Sequence, residues 1–393
     1  MRLSPNQAEL RIRDEVRAFL AENLPAPEEI PADFDARVAY LRGWQRQLHE
    51  ARLVNVTWPE EYGGRNATLM EQIVVNQELA RAGAPALPGE VGLDVVGPTI
   101  VEQGTPEQKA RYVKRILSGE DIWCQGFSEP NAGSDLASLR TRAEDKGDHF
   151  VLTGQKTWTS WAQYASWCAV LARTDLDAPA HRGISYLIVD MGSPGIEVRP
   201  LVQMTGDAEF SEVFFDGVVV PRENLLGELN GGWKLAMHTL TNERGPVVLS
   251  HQVKLRVALD ALVADAARIR RDGAAAVEHP HVRASLARAH VAVEVLRHQA
   301  YRSMGAAIAR GGAGVETSVD KLLMATADQR LGEACLEVLG PHAVWPESAP
   351  EGTSAQVGQH TYLYYRAASI YGGTAQIQKN IVAERILGLP RSA

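Results

Sequence analysis

Apolar positions first recur at helical spacing near the start of the chain, where Ile12, Val16, Phe19 and Leu20 fall on one face. Ahead of them, Ser4-Pro5-Asn6-Gln7 predicts a helix start: a serine cap, a proline in the first turn and a glutamine three residues after the serine. Pro25, Pro27 and Pro31 break the pattern, and it returns over about 35–50, 69–81 and 106–118, with a loop carrying two aromatics at 55–64. After Gly119 the period shortens. Runs at 150–152, 167–171, 184–189, 196–198, 212–215 and 218–220 read as short strands, separated by turn signals such as Lys146-Gly147-Asp148 and Ser193-Pro194-Gly195. Strands at that spacing predict a sandwich or a barrel. From Gly232 onward the pattern is helical again, over 233–249, 251–271, 281–310 and 316–339, in segments rich in alanine and leucine. Helices, then strands, then helices predict an α+β chain built in separate layers rather than a doubly wound sheet.

Composition narrows the function. A chain of 393 residues is long enough for about two or three domains, and 45% hydrophobic residues suffice for a large core. A net charge of −8 argues against a general nucleic-acid binder, which needs a basic face. No run of about 18 apolar residues suggests a membrane span, and Met1-Arg-Leu-Ser-Pro-Asn6 has no secretory character, so a cytoplasmic location is expected. Cys124, Cys168 and Cys335 stand apart, without a CxxC pair, and read as small buried hydrophobes. HExxH, a P-loop and a full GxGxxG are missing. His279 and His281 lack partners at ligand spacing, so no metal site is expected.

Four stretches carry candidate chemistry. Tyr371-Gly-Gly-Thr-Ala-Gln-Ile-Gln378 opens on two glycines and continues as a helix that Thr374 can cap, with Ile377, Ile381, Ile386 and Leu387 as an apolar stripe and Gly388 and Pro390 as the stop. Free N–H groups at such a start suit a phosphate, a ring carbonyl or a thioester oxygen. Trp123-Cys-Gln-Gly-Phe-Ser-Glu-Pro-Asn-Ala-Gly-Ser-Asp135 is a polar turn offering hydroxyls to an oxygen-rich ligand, or else a plain connection. Gly154-Gln-Lys-Thr-Trp-Thr-Ser-Trp161 has two tryptophans that either meet a ligand or fill a β core. Glu243-Arg244 lies on a helix, where such a pair is ordinarily solvated.

Taken together, the tail, the Ser-Glu-Pro turn and the tryptophan strand resemble, in order and separation, the signatures of acyl-CoA dehydrogenases, and the likeness runs from the N-terminal helices to Pro390. The resemblance implies an N-terminal helical domain (1–121), a middle β-barrel (122–228) and a C-terminal four-helix bundle (229–393). It implies FAD held by Phe127, Ser128, Ser134, Trp158, Ser160, Glu337, Gly340, Thr374 and Gln376. Many family members carry the catalytic glutamate directly after the tyrosine of the tail, where this chain has Gly372. A minority carry it as the Glu of a Glu-Arg pair, which Glu243-Arg244 matches, so Glu243 is the expected base and Arg244, Gly372 and Ser134 are expected on the substrate. The implied reaction is dehydrogenation of an acyl-CoA to the trans-2-enoyl-CoA, on a branched, dicarboxylic or steroid side-chain ester, with electrons passing to an electron-transferring flavoprotein. A homotetramer, a homodimer or a heterotetramer with a related subunit is implied. Two family features are altered: Glu337 and Pro341 replace residues of a Gln-x-x-Gly-Gly motif, and no Arg-x-x-Phe precedes Pro280. Those departures admit a non-catalytic subunit of a mixed tetramer. An oxidase or monooxygenase that uses O₂ is a further alternative on the same fold, and a nucleic-acid-binding relative is disfavoured by charge.

Overall fold

In the computed structural model the described residues are 5–242, 247–310, 312 and 314–390. They divide into two compact units: 5–75 with 84–242, and 76–83 with 247–390.

The first unit begins with helices α1 (Gln7–Asn23), α2 (Phe34–Glu50), α3 (Leu69–Arg81, which runs on into the second unit), α4 (Gly97–Gln103) and α5 (Pro106–Ser118). The caps explain the ends. Asn6 caps α1: its side chain accepts from the Glu9 N–H and the Glu9 carboxylate accepts in turn from the Asn6 N–H, while Ser4, the expected cap, lies outside the described residues. Thr105 and Gln108 form the same reciprocal pair at α5, behind Pro106.

The sheet that follows has eight strands: β1 (Trp123–Gly126), β2 (Arg142–Asp145), β3 (His149–Ser160), β4 (Trp167–Arg173), β5 (Ile184–Asp190), β6 (Ile196–Leu201), β7 (Phe210–Pro221) and β8 (Leu225–Leu226). The hydrogen-bonded path is β6-β7-β3-β2-β4-β5-β8, with β1 added in parallel to β4. It curls around one shared core, in which Phe150 and Leu152 of β3, Val170 of β4, Val189 of β5 and Val213 and Val220 of β7 are shut from solvent. The two runs expected at 212–215 and 218–220 are one 12-residue strand, because Asp216-Gly217 is absorbed as an irregularity against β3 instead of ending the ladder. Cys124 and Cys168 pair across β1 and β4, free and buried. Tyr112 of α5 stands edge-on to Trp123 and Trp167, with ring centres 5.2 and 5.0 Å apart, and fastens the helices to the sheet. Helix α6 (Gly232–Asn242) closes the unit against β5; a side chain at Gly232 would meet the Ser185 carbonyl carbon at 2.5 Å, so only glycine allows that approach.

The second unit packs α7 (Val247–Arg268), α8 (Pro280–Arg310), α9 (Thr317–Leu339) and α10 (Ala355–Tyr364) as a four-helix bundle, followed by α11 (Ala375–Ile381). Leu331, Ala334, Cys335 and Val338 of α9 are buried at its centre. A two-strand ribbon, β9 (Arg270–Arg271) with β10 (Ala274–Ala275), turns the chain between α7 and α8. The helix expected over 251–271 begins instead at Val247, with no break at Ser250. The tail helix is shorter than its stripe suggested. After Ile381 it widens into a π turn (Val382–Ile386), and Ile386 and Leu387 are exposed because no described residue covers them. No helix among the described residues is long and apolar enough to cross a membrane.

Candidate functional site

Strand β3 is where the first unit departs most from regular structure. Lys156 pairs with Val213 and Thr159 with Ser211, so three steps along β3 match two along β7. The extra residue forms a bulge, and Trp158 sits in it with φ 56°, a left-handed conformation that costs a non-glycine residue about 1–2 kcal/mol. Strain of that kind at a large side chain is a pointer to function. The bulge turns the indole outward, 62% exposed and edge-on to Phe210 at 6.1 Å, so Trp158 does not fill the β core. Trp161, also at positive φ, stacks on Phe34 instead. Ser160 is half-buried at the end of β3.

The Ser-Glu-Pro turn runs beside this strand. The Ser128 carbonyl accepts from the Thr157 N–H at 2.9 Å, which draws the turn against β3. Phe127 is buried, with its ring edge-on to Tyr186 at 5.7 Å. Glu129 and Ala132 exchange backbone bonds of 3.0 Å each, closing a tight turn, and Ser134 lies exposed beyond it. Among the described residues, no protein group meets the hydroxyls of Ser128, Ser134 or Ser160.

Sequence reasoning missed the group beneath the turn. Lys156 is fully buried; its ammonium donates to the Phe127 carbonyl at 3.1 Å and to Glu129 Oε1 at 2.8 Å. Glu129 also accepts from the Thr141 N–H at 2.8 Å and the Arg140 N–H at 2.7 Å. Burial depresses the Lys156 ammonium, only partly offset by Glu129, from 10.5 to about 8. Burial thus disfavours the charged form in the core even with Glu129 beside it. The signal was present: Phe150, Leu152 and Lys156 share the alternation that places one face of β3 in the core. A second missed group is Gln125, whose amide nitrogen is buried without a hydrogen-bond partner among the described residues, three residues before Ser128.

The remaining expected residues belong to the second unit. Thr374 caps α11 as expected, accepting from the Ile377 N–H at 3.2 Å. Gly372 and Gly373, at φ 61° and 88°, make a left-handed turn before it that side chains rarely adopt. The fully buried Gln378 supports that turn from below, donating at 3.2 Å to the Gly372 carbonyl and 3.4 Å to that of Gly373, while its own carbonyl oxygen has no partner among the described residues. Gln376 is exposed. Tyr371 lies with its ring over the Lys321 ammonium at 4.0 Å.

Gly340 ends α9 at φ 56°, and the Arg271 guanidinium lies so close that a Cβ there would meet it at 2.4 Å. Arg271 also approaches His281 at 3.4 Å, and His281 approaches the exposed Glu337 at 3.9 Å. The Arg271 Nε is buried without a partner among the described residues. The missing Arg-x-x-Phe spacing had hidden this arginine. Glu243 and Arg244 lie outside the described residues.

In the first unit an outward indole, free hydroxyls and the orphaned Gln125 donor suit a ring and its carbonyls. In the second unit Arg271 and the bare Gly340 backbone suit a phosphate.

Three family models match: acyl-CoA dehydrogenase N-terminal domain over residues 6–120, middle domain over 124–218 and C-terminal domain over 230–387. The chain is 41% identical over 392 residues to acyl-CoA dehydrogenase IpdE1 of Mycobacterium tuberculosis, covering 97% of this chain and 98% of the relative. Among solved structures it is similar to the ChsE4-ChsE5 complex from Mycobacterium tuberculosis, with TM-score 0.86, 32% identity and 100% coverage of both chains. It is also similar to the Tcur3481-Tcur3483 steroid ACAD, with TM-score 0.85, 32% identity and 100% coverage of both.

Proposed function

The chain belongs to the acyl-CoA dehydrogenase family of oxidoreductases, and from that premise we propose that it dehydrogenates an acyl-CoA thioester at the α,β bond, with FAD as its own cofactor. The single observation that carries the cofactor assignment is the strained bulge that turns Trp158 outward beside the free hydroxyls of Ser128 and Ser160. Phe127, Ser128, Trp158 and Ser160 would hold the ring; Ser134, Glu337, Gly340, Thr374 and Gln376 would hold the remainder, with Arg271 added from its place against Gly340. FAD supplies a two-electron acceptor that takes the β-hydrogen as hydride.

The protein's own part is proton transfer and polarisation. The α-proton of a thioester is weakly acidic, so its removal needs a positioned carboxylate, worth about 10²- to 10⁴-fold in rate. Position 372 holds glycine, and Glu243 is the carboxylate that takes its place in the assignment. Gly372 contributes its N–H to the thioester oxygen, since a backbone donor does not depend on a side chain, and so stabilises charge that develops there. By the same resemblance Arg244 would help orient Glu243 or line the pocket. Atoms balance: Glu243 would take the α-proton, FAD when bound would supply the acceptor for the β-hydride, and the enoyl thioester would leave.

The substrate class we assign is a bulky ester of the steroid side-chain type, supported by likeness to a structure titled a steroid ACAD. Electrons then pass to an electron-transferring flavoprotein in the cytoplasm. Oligomerisation through the C-terminal helices is supported by an open groove of about 510 Å³ along α8, where Val291 and Val295 are exposed. Glu337 and Pro341 favour a second reading, a mixed oligomer in which a related chain completes the adenine end.

The test is to purify the chain alone and challenge it with a panel of straight, branched and steroid side-chain CoA esters. A yellow protein that forms the enoyl product fastest from the bulky ester is expected. A colourless chain that turns yellow only with a related subunit would favour the mixed oligomer, and a yellow chain inert to every ester would overturn the assignment.

A further inference from the structure

We propose that the buried Lys156–Glu129 pair is a positioning device that sets the Ser128 turn in register with Trp158. This rests on the reading that the turn and Trp158 receive the flavin.

A buried ion pair is a poor way to gain stability, because apolar residues of similar volume do as well or better. What apolar residues cannot do is fix direction. Lys156 reaches two acceptors on different residues of the turn, the Phe127 carbonyl at 3.1 Å and the Glu129 carboxylate at 2.8 Å. The first bond has a geometric consequence. A trans peptide is planar, with its carbonyl and N–H on opposite sides. No peptide bond in the described chain is cis, so turning the Phe127 carbonyl inward to Lys156 turns the Ser128 N–H the other way. Among the described residues no acceptor meets that N–H, and the Ser128 carbonyl is already held by the Thr157 N–H at 2.9 Å. Both faces of Ser128 are thus set by neighbouring residues of β3, 156 and 157, immediately before Trp158.

Glu129 does the matching work across the loop. Its two oxygens accept from the N–H groups of Arg140 and Thr141 at 2.7 and 2.8 Å, so one carboxylate closes the whole segment that carries Ser134. Arg173 holds the same segment from β4, donating to the Ala137 carbonyl at 2.7 Å. Gly126 fits between, where a Cβ would come within 3.3 Å of the Lys156 side chain and 3.1 Å of the Cys168 sulfur. The ammonium, the carboxylate and two backbone donors form one closed set. Lys156 is shut from solvent and Glu129 nearly so, so the set acts through Ser128 and Trp158, not by contact.

The test uses the double variant Lys156→Met/Glu129→Gln, which removes both charges at nearly constant volume. Melting temperature, FAD affinity of the apoprotein and the visible bands of bound flavin are measured against the parent. The expected result is a folded protein whose FAD affinity falls about tenfold or more, as when outer partners are removed at metal sites, with shifted flavin bands. A double variant that binds FAD within twofold of the parent with unchanged bands overturns the proposal. Should the double variant not fold, the isosteric Glu129→Gln decides: weaker binding with shifted bands supports the device, and parent-like binding and bands overturn it. A parent chain that takes up no FAD overturns the cofactor reading and this proposal with it. A parent that binds FAD beside a variant of equal affinity overturns this proposal alone.

Discussion

Replacing Gln378 with methionine separates stability from catalysis in the glycine turn. Gln378 is fully buried and donates two long bonds, 3.2 and 3.4 Å, to the carbonyls of Gly372 and Gly373. Such bonds are worth about 0.5–1 kcal/mol each at that length, so losing both costs about 1–2 kcal/mol. The same side chain buries a carbonyl oxygen with no partner among the described residues, and removing that acceptor recovers about 1–3 kcal/mol. Gly372 and Gly373 are only half-buried, so their carbonyls can turn to water. Methionine has nearly the same volume, which leaves little cavity. The terms nearly cancel, and the variant is expected to melt within about 4 °C of the parent. Catalysis has no such compensation. The turn proposed to present the Gly372 N–H to the thioester oxygen loses its support, and since deleting a donor outright at such a position costs about 10²–10³ in rate, loosening it is expected to lower kcat about tenfold. Thermal melting and steady-state kinetics on one CoA ester provide both readouts. A large fall in melting temperature with unchanged kcat would refute the reasoning and leave Gln378 a plain core residue.

Two further variants follow from the first unit. Trp158→Gly relieves a left-handed tryptophan and removes a 62% exposed ring, so the apoprotein is expected to melt at or above the parent's temperature while FAD affinity drops; a less stable apoprotein with intact affinity would contradict the strained-bulge account. Glu129 sets an acid limit. Burial pushes its carboxyl up, but the Lys156 charge and the bonds from Lys156, Thr141 and Arg140 outweigh burial and hold it below its usual 4.5. The unfolded chain then binds the proton first, so this stabilisation is complete above 4.5 and is lost as pH falls through the lowered value. Melting curves taken down the acid range should show a shallower loss for Glu129→Gln, and an acid limb identical to the parent's would rule the residue out. Lys156 acts in the other window: with its charge disfavoured in the fold, the unfolded chain holds more protons between about 8 and 10.5, and stability from this group rises with pH there.

The sequence foretold elements where the local code was complete. Leu69–Arg81 and Pro106–Ser118 stand where periodicity placed them, the second because Thr105 and Gln108 close its first turn. Strands β1 and β2 were not legible. Trp123-Cys-Gln-Gly126 carries a glycine and a glutamine and is a strand only because it pairs with β4, more than forty positions on. The charged Arg142–Asp145 is held by its ladder to β3. Such long-range pairing leaves little trace in local propensity. The α1 cap fell to Asn6 because its reciprocal bond needed Glu9, a pairing the Ser4 reading overlooked. Among the candidate residues, the motifs named Phe127, Ser128, Trp158 and Thr374, but not the contacts around them. Lys156 finds Glu129 27 residues earlier, and Arg271 finds Gly340 across the bundle. Both depend on tertiary packing that residue spacing does not record.

The central claim, that Glu243 replaces the carboxylate missing at Gly372, is tested most directly by anaerobic titration of Glu243→Gln with the best CoA ester. The account predicts a variant that stays yellow, binds the ester, and fails to bleach on the timescale of the parent, with a rate lowered about 10²-fold or more. A glutamine variant that keeps its flavin and bleaches at the parent's rate would contradict it.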